Sequence, residues 1–195
     1  MKCPIIALPI ISEKIDNIHP ASLPIIIKLI RHINNQNDTY EASELLIKTI
    51  ESLLIDNYYL EANELIQSFS DLIKSSYDDE SSDYTYEIPY LFNNSLSLKT
   101  FTSLYHSLKS IGIELDFDDF QLMFDQMSQS IWEASGEYIA DSFVSAAIFY
   151  QNVEKLFTRE LDTSEMYEPY ETVFKQYLEN KFFKPTEDWN WGIFC

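Results

Sequence analysis

The stretch Glu137–Leu161, EYIADSFVSAAIFYQNVEKLFTREL, decides the fold. Ile139, Phe143, Ala147, Tyr150 and Phe157 recur at the three-to-four residue spacing of one helical face. Ala140, Val144, Ile148 and Leu156 widen that face well beyond a narrow stripe, so other helices have to cover it. Ser142, Ser145, Ala146 and Ala147 are small enough for a neighbour to approach closely, and Gly136 gives the backbone freedom to turn into the element. The stretch predicts an all-α fold: a single-domain bundle of six or seven helices around a central apolar helix at about 137–161.

The flanking sequence agrees with a helical reading. Only three Gly and seven Pro occur in 195 residues, whereas sandwiches and barrels punctuate themselves with turn residues. That length can bury a core without disulfides or metal. Residues 1–21 read as an extended arm, because prolines interrupt MKCPIIALPIISEK and no small-residue cleavage site follows. Ser22 is the expected cap of a first helix, Leu23 to about Ile33, whose many Ile residues predict that it is mostly buried. After a polar NNQND loop, Asp38 or Thr39 caps a helical hairpin of Tyr40–Ile55 and Tyr58–Ser75.

Further on, periodicity breaks in an acidic, Tyr-rich loop over 77–94. A helix from Ser95 or Ser97 to about Ile111 then stops at Gly112, placed for a left-handed C-cap. Asp116 opens the next helix, with Asp118 and Asp119 favoured in its first turn by the helix dipole. A last helix is capped by Thr163 or Ser164, and Pro169 either kinks it or restarts it. The aromatic tail over 184–195, KPTEDWNWGIFC, reads as docked on the domain or as an anchor for a partner.

Charge narrows the function. The formal net charge is −19, from 32 acids against 13 bases. Residues 77–95 hold five acids and no base, and residues 113–137 hold seven and no base. Such a field repels nucleic acid and anionic membranes and steers basic proteins inward, so neither nucleic acid nor membrane is an expected partner. No apolar run reaches the ~18 residues of a membrane span. Cys3 and Cys195 match no metal or redox spacing, which fits a reduced, cytoplasmic setting.

Catalytic and cofactor motifs are absent from the sequence. His19, His32 and His106 stand in separate segments, without HExxH or Glu-x-x-His spacing. The acid run from Asp78 fails as a calcium loop, with Asp83 where Gly is needed and Pro89 where a bidentate Glu is needed. The run at Asp116 fails at Gln121. No catalytic residue, metal or cofactor is therefore expected.

What remains is a partner-binding surface. Tyr77, Asp78, Asp79, Glu80, Asp83, Tyr84, Tyr86 and Glu87 are the first candidates, with Asp116, Asp118 and Asp119 as a second patch. Tyrosine offers contact area at low entropy cost, and carboxylates pair with Lys and Arg. The expected function is an acidic protein-binding inhibitor that neutralises a basic partner, in particular an immunity protein against a nuclease-type toxin. The alternatives are a helical scaffold or adaptor, and an enzyme whose site the sequence conceals.

Overall fold

The computed structural model describes residues 18–36, 38–78, 87–133 and 138–180, and among them every regular element is helical. The chain divides into two units, Met1–Phe117 and Asp118–Cys195. Unit 1 contains α1 (Leu23–Asn34), α2 (Thr39–Ile55), α3 (Tyr59–Ser68), α4 (Ser70–Asp78), the single turn α5 (Glu87–Tyr90) and α6 (Leu98–Ser110). Unit 2 is built from α7 (Phe117–Glu133), α8 (Tyr138–Phe157) and α9 (Glu168–Asn180), with Phe117 of α7 at the junction. No helix among the described residues is long and apolar enough to cross a membrane.

In unit 1 the most deeply buried helix is α2. Ala42, Leu45, Leu46, Ile50, Leu53 and Leu54 are buried, and Thr49 satisfies its own buried hydroxyl by donating to the Leu45 carbonyl at 2.6 Å. Asp38 caps this helix by accepting from the Glu41 N–H at 3.2 Å. A short turn brings α1 back antiparallel to it. Accordingly the Ile18 N–H reaches Ser52 Oγ, in the last turn of α2, at 3.0 Å. Asn57 takes a left-handed conformation (φ 63°), which its short polar side chain tolerates, and redirects the chain into α3.

Helices α3 and α6 run parallel, which three polar pairs show in turn. Thr100 Oγ1 donates to Asn57 Oδ1 at 3.3 Å, Ser107 Oγ to Asn63 Oδ1 at 2.7 Å, and Gln67 Nε2 to Ser110 Oγ at 2.6 Å. Ser97 caps α6 through the Thr100 N–H at 3.2 Å. At the far end Gly112 (φ 89°) closes a Schellman motif: its N–H donates to the Lys109 carbonyl, and the Ile113 N–H to that of Leu108. A Cβ at Gly112 would meet only the Lys74 side chain, at 3.8 Å, so space is not the constraint. Gly112→Ala is expected to cost about 1–2 kcal/mol through backbone strain alone, read by urea unfolding. An unchanged midpoint would show that the left-handed residue is not needed.

Four expectations need correction. Helix α1 is not mostly buried: Leu23, Ile30 and Ile33 are, but Ile25 is 72% exposed, because the helix lies on the surface of α2. Ser22 makes no side-chain cap; His19 Nδ1 accepts from the Ala21 N–H and caps a 3-10 turn at Pro20–Ser22. The arm is accordingly shorter than 1–21, since Ile18 is already buried. The expected Tyr58–Ser75 helix breaks at Phe69 (φ −124°, ψ 27°), whose ring turns inward beneath the Arg31 guanidinium, 5.7 Å from its centroid. This break yields eight longer helices among the described residues rather than six or seven.

The 77–94 loop also narrows. Tyr77 and Asp78 continue α4, Glu87–Tyr90 is a helical turn, and Ile88, Leu91 and Phe92 are buried, with Phe92 edge-on to Phe101 at 4.9 Å. Residues 79–86 and the aromatic tail lie outside the described residues.

Helix α8 is the middle of unit 2. From Ser142 to Glu154 every residue is buried or half-buried, as the broad apolar face requires. Phe174 of α9, fully buried, meets the rings of Phe124, Phe143 and Tyr150 at 5.6, 5.4 and 5.7 Å. Phe120 closes the cluster against Phe157 at 5.3 Å. Thr158, left-handed at φ 54°, ends the helix short of the expected Leu161. The last helix starts at Glu168 instead of Thr163 or Ser164. This is the restart reading of Pro169, which sits in the opening turn where its missing N–H has no intrahelical partner to lose.

Candidate functional site

The two base-free acid blocks are reached through local structure that differs at each flank. Tyr77 and Asp78 end α4, and Glu87 opens α5. Asp79, Glu80, Asp83, Tyr84 and Tyr86 lie outside the described residues. Asp116 directly precedes α7, and Asp118 and Asp119 occupy its first turn. All three of these aspartates already interact within the chain, as expected of carboxylates at the positive end of a helix.

Within unit 1 the two flanks converge. Gly112 lies against Lys74, one turn before Asp78, and the Gln67–Ser110 bond fixes the end of α6 beside the end of α3. Exposed Glu114 and Asp116 follow Gly112 by two and four residues. The described starts of the two blocks, the end of α4 at Asp78 and the segment Glu114–Asp116, therefore lie at one end of the unit, with Lys74 at the junction.

Unit 2 contains a second acidic feature that the sequence did not reveal. An open cleft of about 1090 Å³ lies between the C-terminal half of α8, the connector Thr158–Thr163 and the last turns of α9. Glu154, Glu160, Asp162 and Glu179 line it with Tyr150 and Tyr177, and Lys155 and Lys175 supply the bases. Gln121 holds the connector in place like a strand partner: its Nε2 donates to the Asp162 carbonyl at 2.9 Å while its Oε1 accepts the Asp162 N–H at 2.8 Å. The same amide donates to Asp125 at 2.9 Å. Burial, chiefly, raises the Asp125 carboxyl; the Gln121 bond opposes that rise, and Glu165 and Asp162 add to it.

On the other side, Thr163 Oγ1 and Lys175 Nζ both donate to Glu171 Oε1, at 2.8 and 2.6 Å. These bonds hold Glu171 below its usual range, the Lys175 bond first. Asp162 is likewise held low, mainly by the Ser164 N–H at 2.9 Å.

Tyr150 links the cleft to the core. Its ring packs on Phe124 and Phe174, while its hydroxyl is pushed up to about 12, by burial first and then by Glu160 and Glu154. A phenol whose folded value exceeds its unfolded value of about 10 stabilises fully below pH 10 and loses that contribution as pH climbs toward 12. Unit 2 is therefore expected to weaken between pH 10 and 12, and Tyr150→Phe to flatten that fall, measured by urea midpoints across the range. An unaltered pH profile in Tyr150→Phe would place the alkaline transition elsewhere.

The chemistry available here is carboxylate and phenol, suited to ion pairs and hydrogen bonds with a cationic partner. All three histidines belong to unit 1: His19 caps a turn, His32 is exposed and pairs with Gln36 at 3.3 Å, and His106 is exposed beside Tyr105. Among the described residues no group of three or more His, Cys, Asp or Glu is arranged to hold a metal ion. Comparison of the chain with protein-family models, curated proteins and solved structures finds no match.

Proposed function

We propose that this chain is an acidic protein-binding inhibitor that neutralises a basic protein, acting as an immunity protein against a nuclease-type toxin in the cytoplasm. The observation that carries the reading is the pair of acid blocks that hold no base, residues 77–95 with five acids and residues 113–137 with seven. A nuclease presents a basic track to phosphates, and an acidic protein surface can occupy the same track. Tyr77, Tyr84, Tyr86 and Tyr90 lie among those acids in sequence and supply the kind of anchor that dominates interface energetics. The acid-lined cleft of unit 2 adds support of the same sign.

The test is a titration of the purified protein into a basic nuclease encoded beside its gene. Turnover should stop at a fixed stoichiometry, through a complex that salt weakens. Unimpaired turnover, with no complex formed at low salt, would refute the assignment.

A further inference from the structure

The cleft of unit 2 contains three carboxylates that no described residue neutralises. Glu154, Glu160 and Glu179 line it without an ion pair or hydrogen bond to another described side chain. Lys175 is already held by Glu171 at 2.6 Å, and Asp162 already accepts from the Ser164 N–H at 2.9 Å. Along the described lining this leaves Lys155 alone to oppose the three acids.

A group of acids is by itself ordinary solvated surface, but a second feature marks this one. Tyr150 is 7% exposed, and its hydroxyl makes no hydrogen bond to a described residue, although Phe124 and Phe174 hold the ring in place. Glu160 and Glu154 both act on that hydroxyl, which sets it on the cleft wall beside them. The phenol keeps its proton through neutral pH, so it stands there as a fixed dipole. A buried polar group without a partner costs free energy that a ligand's hydrogen bond recovers.

The lining also selects among cations. Among the described residues no three ligating side chains converge as a metal ion requires, so these carboxylates stand apart. Charges spaced along an alkyl chain can meet them one at a time, and Leu178 and the Tyr177 ring, both half-buried, give such a chain an apolar wall. A volume of about 1090 Å³ is more than one side chain fills and lies at the upper end of ligand clefts. We propose that the unit 2 cleft is a binding site for a linear organic polycation, with ammonium groups spaced along an alkyl chain. The Tyr150 hydroxyl accepts from one ammonium, and Glu154, Glu160 and Glu179 pair with the charges. Such a ligand is either a free polyamine or a run of lysines in a peptide. The site uses neither base-free block and does not depend on the inhibitor reading.

Calorimetry on the full chain at low salt tests this with two flexible trications, spermidine and a capped trilysine peptide. Cobalt hexammine, a compact trication, is the reference for unspecific attraction. One equivalent of spermidine or of the peptide should bind more tightly than the compact ion, and the tighter of the two identifies the source. Tyr150→Phe, which keeps the ring and removes only the hydroxyl, should weaken binding by about tenfold or more. Glu154→Gln with Glu160→Gln should weaken it as well. Glu64→Gln with Asp71→Asn, the same change of charge at exposed positions of unit 1, should not. Equal binding of cobalt hexammine, unchanged binding in Tyr150→Phe, or an equal loss in the unit 1 pair would overturn the proposal, as would no binding of either flexible probe.

Discussion

Phe143→Asp is expected to unfold unit 2. Phe143 is 4% exposed and meets the rings of Phe174 and Tyr177 at 5.4 and 5.8 Å. A buried, unpaired carboxylate costs several kcal/mol, or forces its own protonation at comparable cost. A domain stability of roughly 5–15 kcal/mol leaves little after such a loss. Phe174→Ala, which empties the middle of the same cluster, should cost about 3–5 kcal/mol and weaken the unit without necessarily abolishing it. Asp141→Asn, exposed in the first turn of α8, is the control and should cost no more than about 0.3–1 kcal/mol, through the helix dipole. Circular dichroism and thermal melts read all three. A wild-type melt for Phe143→Asp would mean that the side chain can reach water and that α8 is peripheral.

The sequence revealed what short-range periodicity and local chemistry determine. The burial of α8 followed from its broad apolar face, and the caps at Asp38 and Ser97 and the stop at Gly112 followed from residue types that serve few other purposes. What it concealed depends on contacts distant in the chain. Ile25 reads as core by composition, yet it is mostly exposed, and side-chain type cannot report that. The break at Phe69 changes one residue's dihedral angles within a continuous helical pattern, flanked only by Ser68 and Ser70. The parallel pairing of α3 with α6 is made by side chains 43 or 44 positions apart.

The same division holds for the candidate site. Acid blocks without bases are visible by counting, whereas the nearness of their first residues depends on Lys74 meeting Gly112. The cleft of unit 2 was hidden for a different reason. Its acids come from α8, the connector and α9, interleaved with Lys155 and Lys175, so no window of sequence looks strongly charged. Only the left-handed turn at Thr158 and the Gln121 clamp bring them to one wall.

Association with the basic partner is expected to slow by tenfold or more, at low salt, when Asp78, Asp79, Glu80 and Asp83 are changed to Asn, Asn, Gln and Asn. Electrostatic steering raises on-rates by about 10- to 1000-fold, and these four supply most of one base-free block. Raising salt past ~0.15 M, where charges are screened beyond about 8 Å, should bring the wild-type rate down toward that of the variant. Folding should be unaffected to within about 0.5 kcal/mol, as for ordinary surface substitutions. Asp118→Asn and Asp119→Asn provide the contrast. They lie in the first turn of α7, so their loss should cost about 0.3–1 kcal/mol of stability through the helix dipole in addition to any effect on rate. Tyr84→Ala or Tyr86→Ala should act on the other rate constant, speeding dissociation by an amount equivalent to about 2 kcal/mol, or roughly thirtyfold, if the ring is an anchor. Stopped-flow association across a salt series separates the two effects. A full association rate in the neutralised variant would exclude the 78–83 block from steering and shift attention to the acids lining the unit 2 cleft, Glu154, Glu160, Asp162 and Glu179.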